Sequence, residues 1–165
     1  MANNTSLYSP PSTPEDLVLA WLRRARESQL AHYEMANRLT KQNIFMGVPV
    51  IVITAMVGTS AFASVVADLV PVWAKIAAGS ASVLAAVLAS LQTFFKFSER
   101  AERHKIFGAK FGAIRRELET LYSSGRAAEE SNFIGVLREK LDRLAEEAPS
   151  VPAEIFKYIQ NLEIN

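Results

Sequence analysis

Two stretches decide the fold: residues 44–67, IFMGVPVIVITAMVGTSAFASVVA, and residues 72–95, VWAKIAAGSASVLAAVLASLQTFF. The first holds no charged residue, and the only charge in the second is Lys75. At 1.5 Å of rise per residue, a helix of this length covers roughly 36 Å, enough for a hydrocarbon core of about 30 Å with some tilt. Only Asp68-Leu69-Val70-Pro71 separates the two. A connection that short makes the helices antiparallel neighbours. Pro49 inside the first span removes a helical hydrogen bond and crowds the carbonyl of Phe45, so a kink is expected around Gly47-Val48-Pro49. A hairpin this apolar can also hide inside a soluble helical protein. The remaining helices are too few to wrap two helices that are apolar all round.

Outside the hairpin the chain is densely charged. The 165 residues carry 18 Lys or Arg and 17 Asp or Glu, a net charge of +1. That balance lacks the basic excess of nucleic-acid-binding proteins, and none is expected to bind here. With no cysteine there is no disulfide, thiolate nucleophile or cysteine metal site. No basic, apolar leader opens the chain, and residues 1–12 read as a disordered polar tail. Lys and Arg flank the hairpin at Arg38, Lys41, Lys96, Arg100, Arg103 and Lys105, and none lies between Ala67 and Val72. The positive-inside rule puts both flanks, and both termini, in the cytoplasm and Asp68 outside.

The flanks read as helix. Thr13 is a natural N-cap, Pro14 suits the first helical position, and Glu15 and Asp16 complement the dipole. Leu22, Ala25, Gln29, His32, Ala36, Leu39 and Asn43 alternate by three and four, which sets them on one face of a helix over 13–43. After the second span the helix is expected to run on through Lys96 to Tyr122, with Phe107, Phe111, Ile114, Leu118 and Leu121 on one stripe. Gly125 closes it as a left-handed cap. An amphipathic helix through Phe133, Leu137, Leu141 and Leu144 follows, stopped by Pro149, and a short one over Pro152 to Leu162 ends the chain. The expected architecture is all-α: an integral membrane hairpin with two transmembrane spans (44–67 and 72–95), a 68–71 outer turn, long cytoplasmic extensions (13–43 and 96–125) and C-terminal amphipathic helices in 126–165.

Candidate sites follow from that architecture. Small residues recur every four positions in the second span, as Ala74, Ala78, Ser82, Ala86 and Ser90, and again as Ala77, Ala81, Ala85 and Ala89. Ala55, Thr59, Ala63 and Ala67 answer in the first. Small residues let backbones approach closely in lipid, where packing drives association. Two such faces point to two neighbours, the hairpin partner and another subunit, with Ala74, Ala78 and Ala86 the candidate packing positions. Asn43, Gly47, Thr54, Gly58 and Ala61 make a weakly polar stripe; with Ser82 and Ser90, its members Asn43, Thr54 and Gly58 are the candidate pore-lining residues of an oligomer. Singly, each hydroxyl is more simply explained as bonding back to its own helix. No acid or arginine lies at depth, which argues against proton relays and ion-coupled carriers and leaves a passive pore. Trp73 and Lys75 suit the outer interface as anchors. His32 and His104 fall near apolar stripes at comparable heights; a buried, hydrogen-bonded structural role is a simpler account than a metal pair or a pH switch. No phosphate loop, zincin motif or catalytic triad is present, so neither an enzyme nor a cofactor is expected.

Trp21-Leu22, His32, the run from Asn43 through Gly47-Val48-Pro49, and Val57-Gly58-Thr59-Ser60-Ala61-Phe62 together resemble the SLATT domain. So does the second half, from the Ala/Ser-rich span through Phe94-Phe95 to Ser98-Glu99-Arg100-Ala101-Glu102-Arg103-His104. The resemblance covers Ala20 to Leu121 and gives residues 13–125 the outline of a SLATT-like domain. It implies an oligomeric, pore-forming effector of the bacterial inner membrane, serving an antiphage conflict system. It also implies a trigger from outside the chain: a sensor protein of a nucleotidyltransferase or reverse transcriptase system, or a cyclic-oligonucleotide signal. A membrane adaptor that conducts nothing and recruits a soluble partner through its cytoplasmic helices is the other reading.

Overall fold

A computed structural model gives five helices: α1 (Pro14–Val66), α2 (Val72–Phe95), α3 (Phe97–Ser124), α4 (Ser131–Glu147) and α5 (Ala153–Glu163), with no strand among the described residues. The structure describes residues 9–66, 71–125, 127 and 131–163, the side chains of 60–66, 131 and 163 excepted. The start of the N-terminal tail (1–8) and most of the outer turn (68–70) lie outside the described residues.

The expected start of α1 is in place. The Asp16 backbone N–H donates to Thr13 Oγ1 at 3.1 Å, and Pro14 takes the first helical position. Helical residues continue without a break through Pro49 to Val66. At the far end of α3, Gly125 adopts φ +65°, the left-handed conformation a glycine accepts at no steric cost.

The chain folds as two compact units. One, Ala36–Glu102, is the hairpin. Its half-buried or buried positions repeat by seven: Asn43, Val50 and Val57, then Met46 and Ile53, on α1; Ala74, Ala81 and Leu88, then Ala78, Ala85 and Gln92, on α2. Seven is the repeat with which two helices keep one seam in contact while supercoiling. Between those positions large side chains point outward, among them Phe45, Ile51, Met56, Trp73, Ile76 and Phe94, each more than 60% exposed. In the most apolar 18-residue windows none of α1 and 6% of α2 is buried. A soluble protein would have to cover these surfaces, so their exposure speaks for lipid.

The expected continuity from α2 into α3 is corrected by the structure. Lys96 adopts φ 49°, ψ 41°, caps α2 by donating its N–H to the Gln92 carbonyl, and accepts from Arg100 at the start of α3. The Phe95 and Phe97 rings stack at 5.3 Å across this break. Residues two apart point to different sides of an unbroken helix, so that stack requires the turn.

The second unit, Met1–Met35 with Arg103–Asn165, is a helical body. Its main core joins Val18 and Ala25 of α1, Phe107, Phe111, Ile114, Leu118 and Leu121 of α3, and Leu137 and Leu144 of α4. A smaller cluster sets Ile155 and Ile159 of α5 against Ala31. The α3 stripe expected from the sequence is buried at every position. Lys140 to Glu117 at 2.7 Å and Lys110 to Glu147 at 3.9 Å tie α3 to α4 on the surface, worth ~0.2–1 kcal/mol each.

Candidate functional site: the membrane hairpin and a buried histidine pair

Among the described residues, one side-chain hydrogen bond joins α1 and α2 across the hairpin seam. Gln92 Nε2 donates to Asn43 Oδ1 at 3.1 Å, half-buried. Gly47, one turn beyond Asn43, makes room for it: a Cβ there would stand 3.0 Å from Gln92 Nε2. Asn43 therefore sits in the seam as well as on the weakly polar stripe. Further along, Ile53, Met56, Val57, Ala77, Ala78 and Ala81 line an apolar groove of about 280 Å³ between the spans.

The other expected site residues divide between seam and surface. Ala74 and Ala78 are half-buried in the hairpin, while Ala86 is exposed together with Ser82 and Ser90. A row stepping by four advances 40° per step around a helix of 3.6 residues per turn, so it winds off the seam within three steps. Thr54 and Gly58 are exposed on α1. The Thr54 hydroxyl donates to the carbonyls of Val50 and Ile51, and the Ser90 hydroxyl to Ala86. Trp73 and Lys75 are exposed in the first turn of α2. The side chain of Ala61 lies outside the described residues.

In the helical body α1 and α3 run antiparallel, closely enough that Gln29 lies over Gly112 and Tyr33 over Gly108. The sequence reading missed this pair of glycines four apart, although such spacing lets two helices approach closely in any medium. Between α1 and α3, His32 Nδ1 and His104 Nδ1 stand 2.9 Å apart, both rings 3% exposed. Phe107 and Phe111 stack on the His32 ring, with centroids at 6.1 and 5.5 Å. One Nδ1 must donate and the other accept, so at least one ring of the pair is neutral and carries its proton on Nε2. Burial in this apolar seam, with His104 beside it, lowers the His32 pKa from 6.5 to about 4. At neutral pH His32 is therefore uncharged. Among the described residues no group of three or more His, Cys, Asp or Glu is placed to hold a metal ion.

Neither the curated proteins nor the solved structures compared with the chain include a match to it. A family model does match, over residues 20–154, a stretch that takes in the hairpin, the histidine pair and α4. The family's description names two transmembrane segments, which the two outward-facing apolar spans supply, and the chain is a membrane protein belonging to the SMODS and SLOG-associating 2TM effector domain family 4.

Proposed function

We propose that the chain is an oligomeric, pore-forming effector that disrupts the bacterial inner membrane when a separate sensor, or the cyclic-oligonucleotide signal it makes, acts on the helical body. The observation that carries this reading is the hairpin's outer surface. Thr54 and Gly58 on α1, and Ser82, Ala86 and Ser90 on α2, remain exposed after the two spans have packed on each other. An anchor surrounded only by lipid needs no weakly polar, small-residue face, whereas the contact between copies and the wall of a narrow pore both use one. Family membership supports the effector role, and its association with SMODS and SLOG supports a trigger supplied by another protein of a conflict system. The Lys and Arg beside the hairpin support an orientation with both termini in the cytoplasm.

The test is dye and ion release from liposomes holding the purified full-length protein, with depolarisation measured in expressing cells. Release that rises with protein-to-lipid ratio is expected. Sealed vesicles after verified insertion and activation would overturn the pore.

A further inference from the structure

The helical body carries a cavity that pore formation does not use. It has a volume of about 450 Å³ and lies between α1 and α4, with Phe111 of α3 in its lining. Pockets of ~300–1,000 Å³ are the usual size for small molecules and cofactors. Trp21, Arg24 and Ser28 contribute from α1, at spacings of three and four that share one face; Arg138 and Asp142 contribute from α4, one turn apart.

The two arginines have no partner among the described residues, in either an ion pair or a hydrogen bond. Asp142 does not pair with Arg138 despite its favourable spacing, whereas Arg115 and Glu119, equally spaced on α3, approach to 3.5 Å. Two unpaired guanidiniums lining one cavity from different helices select an anion, and their planar donor sets match phosphate oxygens. Trp21, half-buried, adds an aromatic wall on which a flat ring stacks. Asp142 would repel a simple polyanion but accepts hydrogen bonds from an amino group. A nucleotide joins these three chemistries in one molecule.

We propose that this cavity binds a nucleotide, with phosphate oxygens held by Arg24 and Arg138 and the base against Trp21. Binding rests on the effector reading only for its consequence, since occupancy would be the signal that the pore answers. The chain has two tryptophans, so Trp73→Phe leaves Trp21 as the sole indole reporter in the full-length protein. In detergent, ADP, cyclic di-adenylate, inorganic pyrophosphate and adenosine are each titrated against Trp21 fluorescence. ADP or cyclic di-adenylate is expected to give saturable quenching with Kd below about 1 mM. Arg24→Ala and Arg138→Ala, both at exposed positions, should each weaken it by about tenfold with an unchanged circular dichroism spectrum.

Absence of a saturable response to both nucleotides overturns the proposal. So does pyrophosphate binding as tightly as ADP, which marks a bare anion patch, or arginine variants that bind as the parent does. Liposome release measured on the same samples separates the two readings. Nucleotide binding without release rejects the pore alone, and release without nucleotide binding rejects this site alone.

Discussion

His32 and His104 show what a pair of imidazoles can do that a pair of leucines cannot. Their Nδ1–Nδ1 contact at 2.9 Å holds only while one of the two Nδ1 atoms keeps a free lone pair, because a proton on both sets two donors against each other. The folded His32 pKa of about 4 lies below its open-chain value of 6.5, so the unfolded chain binds more protons throughout that interval. Stability is therefore complete above pH 6.5 and declines as pH falls toward 4, by about 3 kcal/mol if the full difference is expressed. Thermal unfolding of the detergent-solubilised protein, followed by circular dichroism from pH 7.5 to 4.5, should show this decline. His32→Phe, placed between Phe107 and Phe111, should flatten the profile while costing ~1–3 kcal/mol at pH 7.5, because it leaves His104 Nδ1 without its partner. An unaltered pH slope in that variant would assign the effect elsewhere. The sequence already set both histidines beside apolar stripes. Their direct contact depends on the register of two helices whose contacting residues are 72 positions apart, which no local pattern encodes.

At the scale of the element, periodicity was the legible part. The stripe from Leu22 to Asn43 is buried or half-buried at every position, as its spacing by three and four requires. Gln92 was missed although Ala78, Ala85 and Gln92 are seven apart, because counting small residues by fours hides a polar residue on the sevens. The break at Lys96 was not legible at all. Lysine has no preference for φ > 0, and the stack of Phe95 on Phe97 that accompanies the turn joins residues two apart, which no helical period pairs. The Asn43–Gln92 bond makes its own prediction. Asn43→Leu and Gln92→Leu should each loosen the hairpin, and the double variant should be less damaging than their sum. The coupling expected for a hydrogen bond between membrane helices is ~0.6–2 kcal/mol. A cycle run by SDS-induced unfolding in mixed micelles reads it, and additivity would mean that the two amides act independently.

For the whole molecule, the question is what meets the exposed face of α2. The sequence offered two interleaved rows of small residues, and folding spends part of each on the seam. Ala74, Ala78, Ala81 and Ala85 go to the hairpin, while Ser82, Ala86 and Ser90 stay outside. In lipid an exposed Ala or Ser gains little from acyl chains, but it lets a second helix come close enough for backbone contact. Leucine at these positions suits lipid as well as alanine does and does not enter the seam. Ser82→Leu and Ala86→Leu should therefore leave insertion and hairpin formation intact while excluding a neighbouring copy. In crosslinking of membranes before detergent extraction, the parent should give a ladder of oligomers and the double variant mostly monomer, with dye release falling in step. A variant that crosslinks like the parent would move the subunit contact off this face. The surface around Thr54 and Gly58 on α1 would then be the next place to introduce bulk.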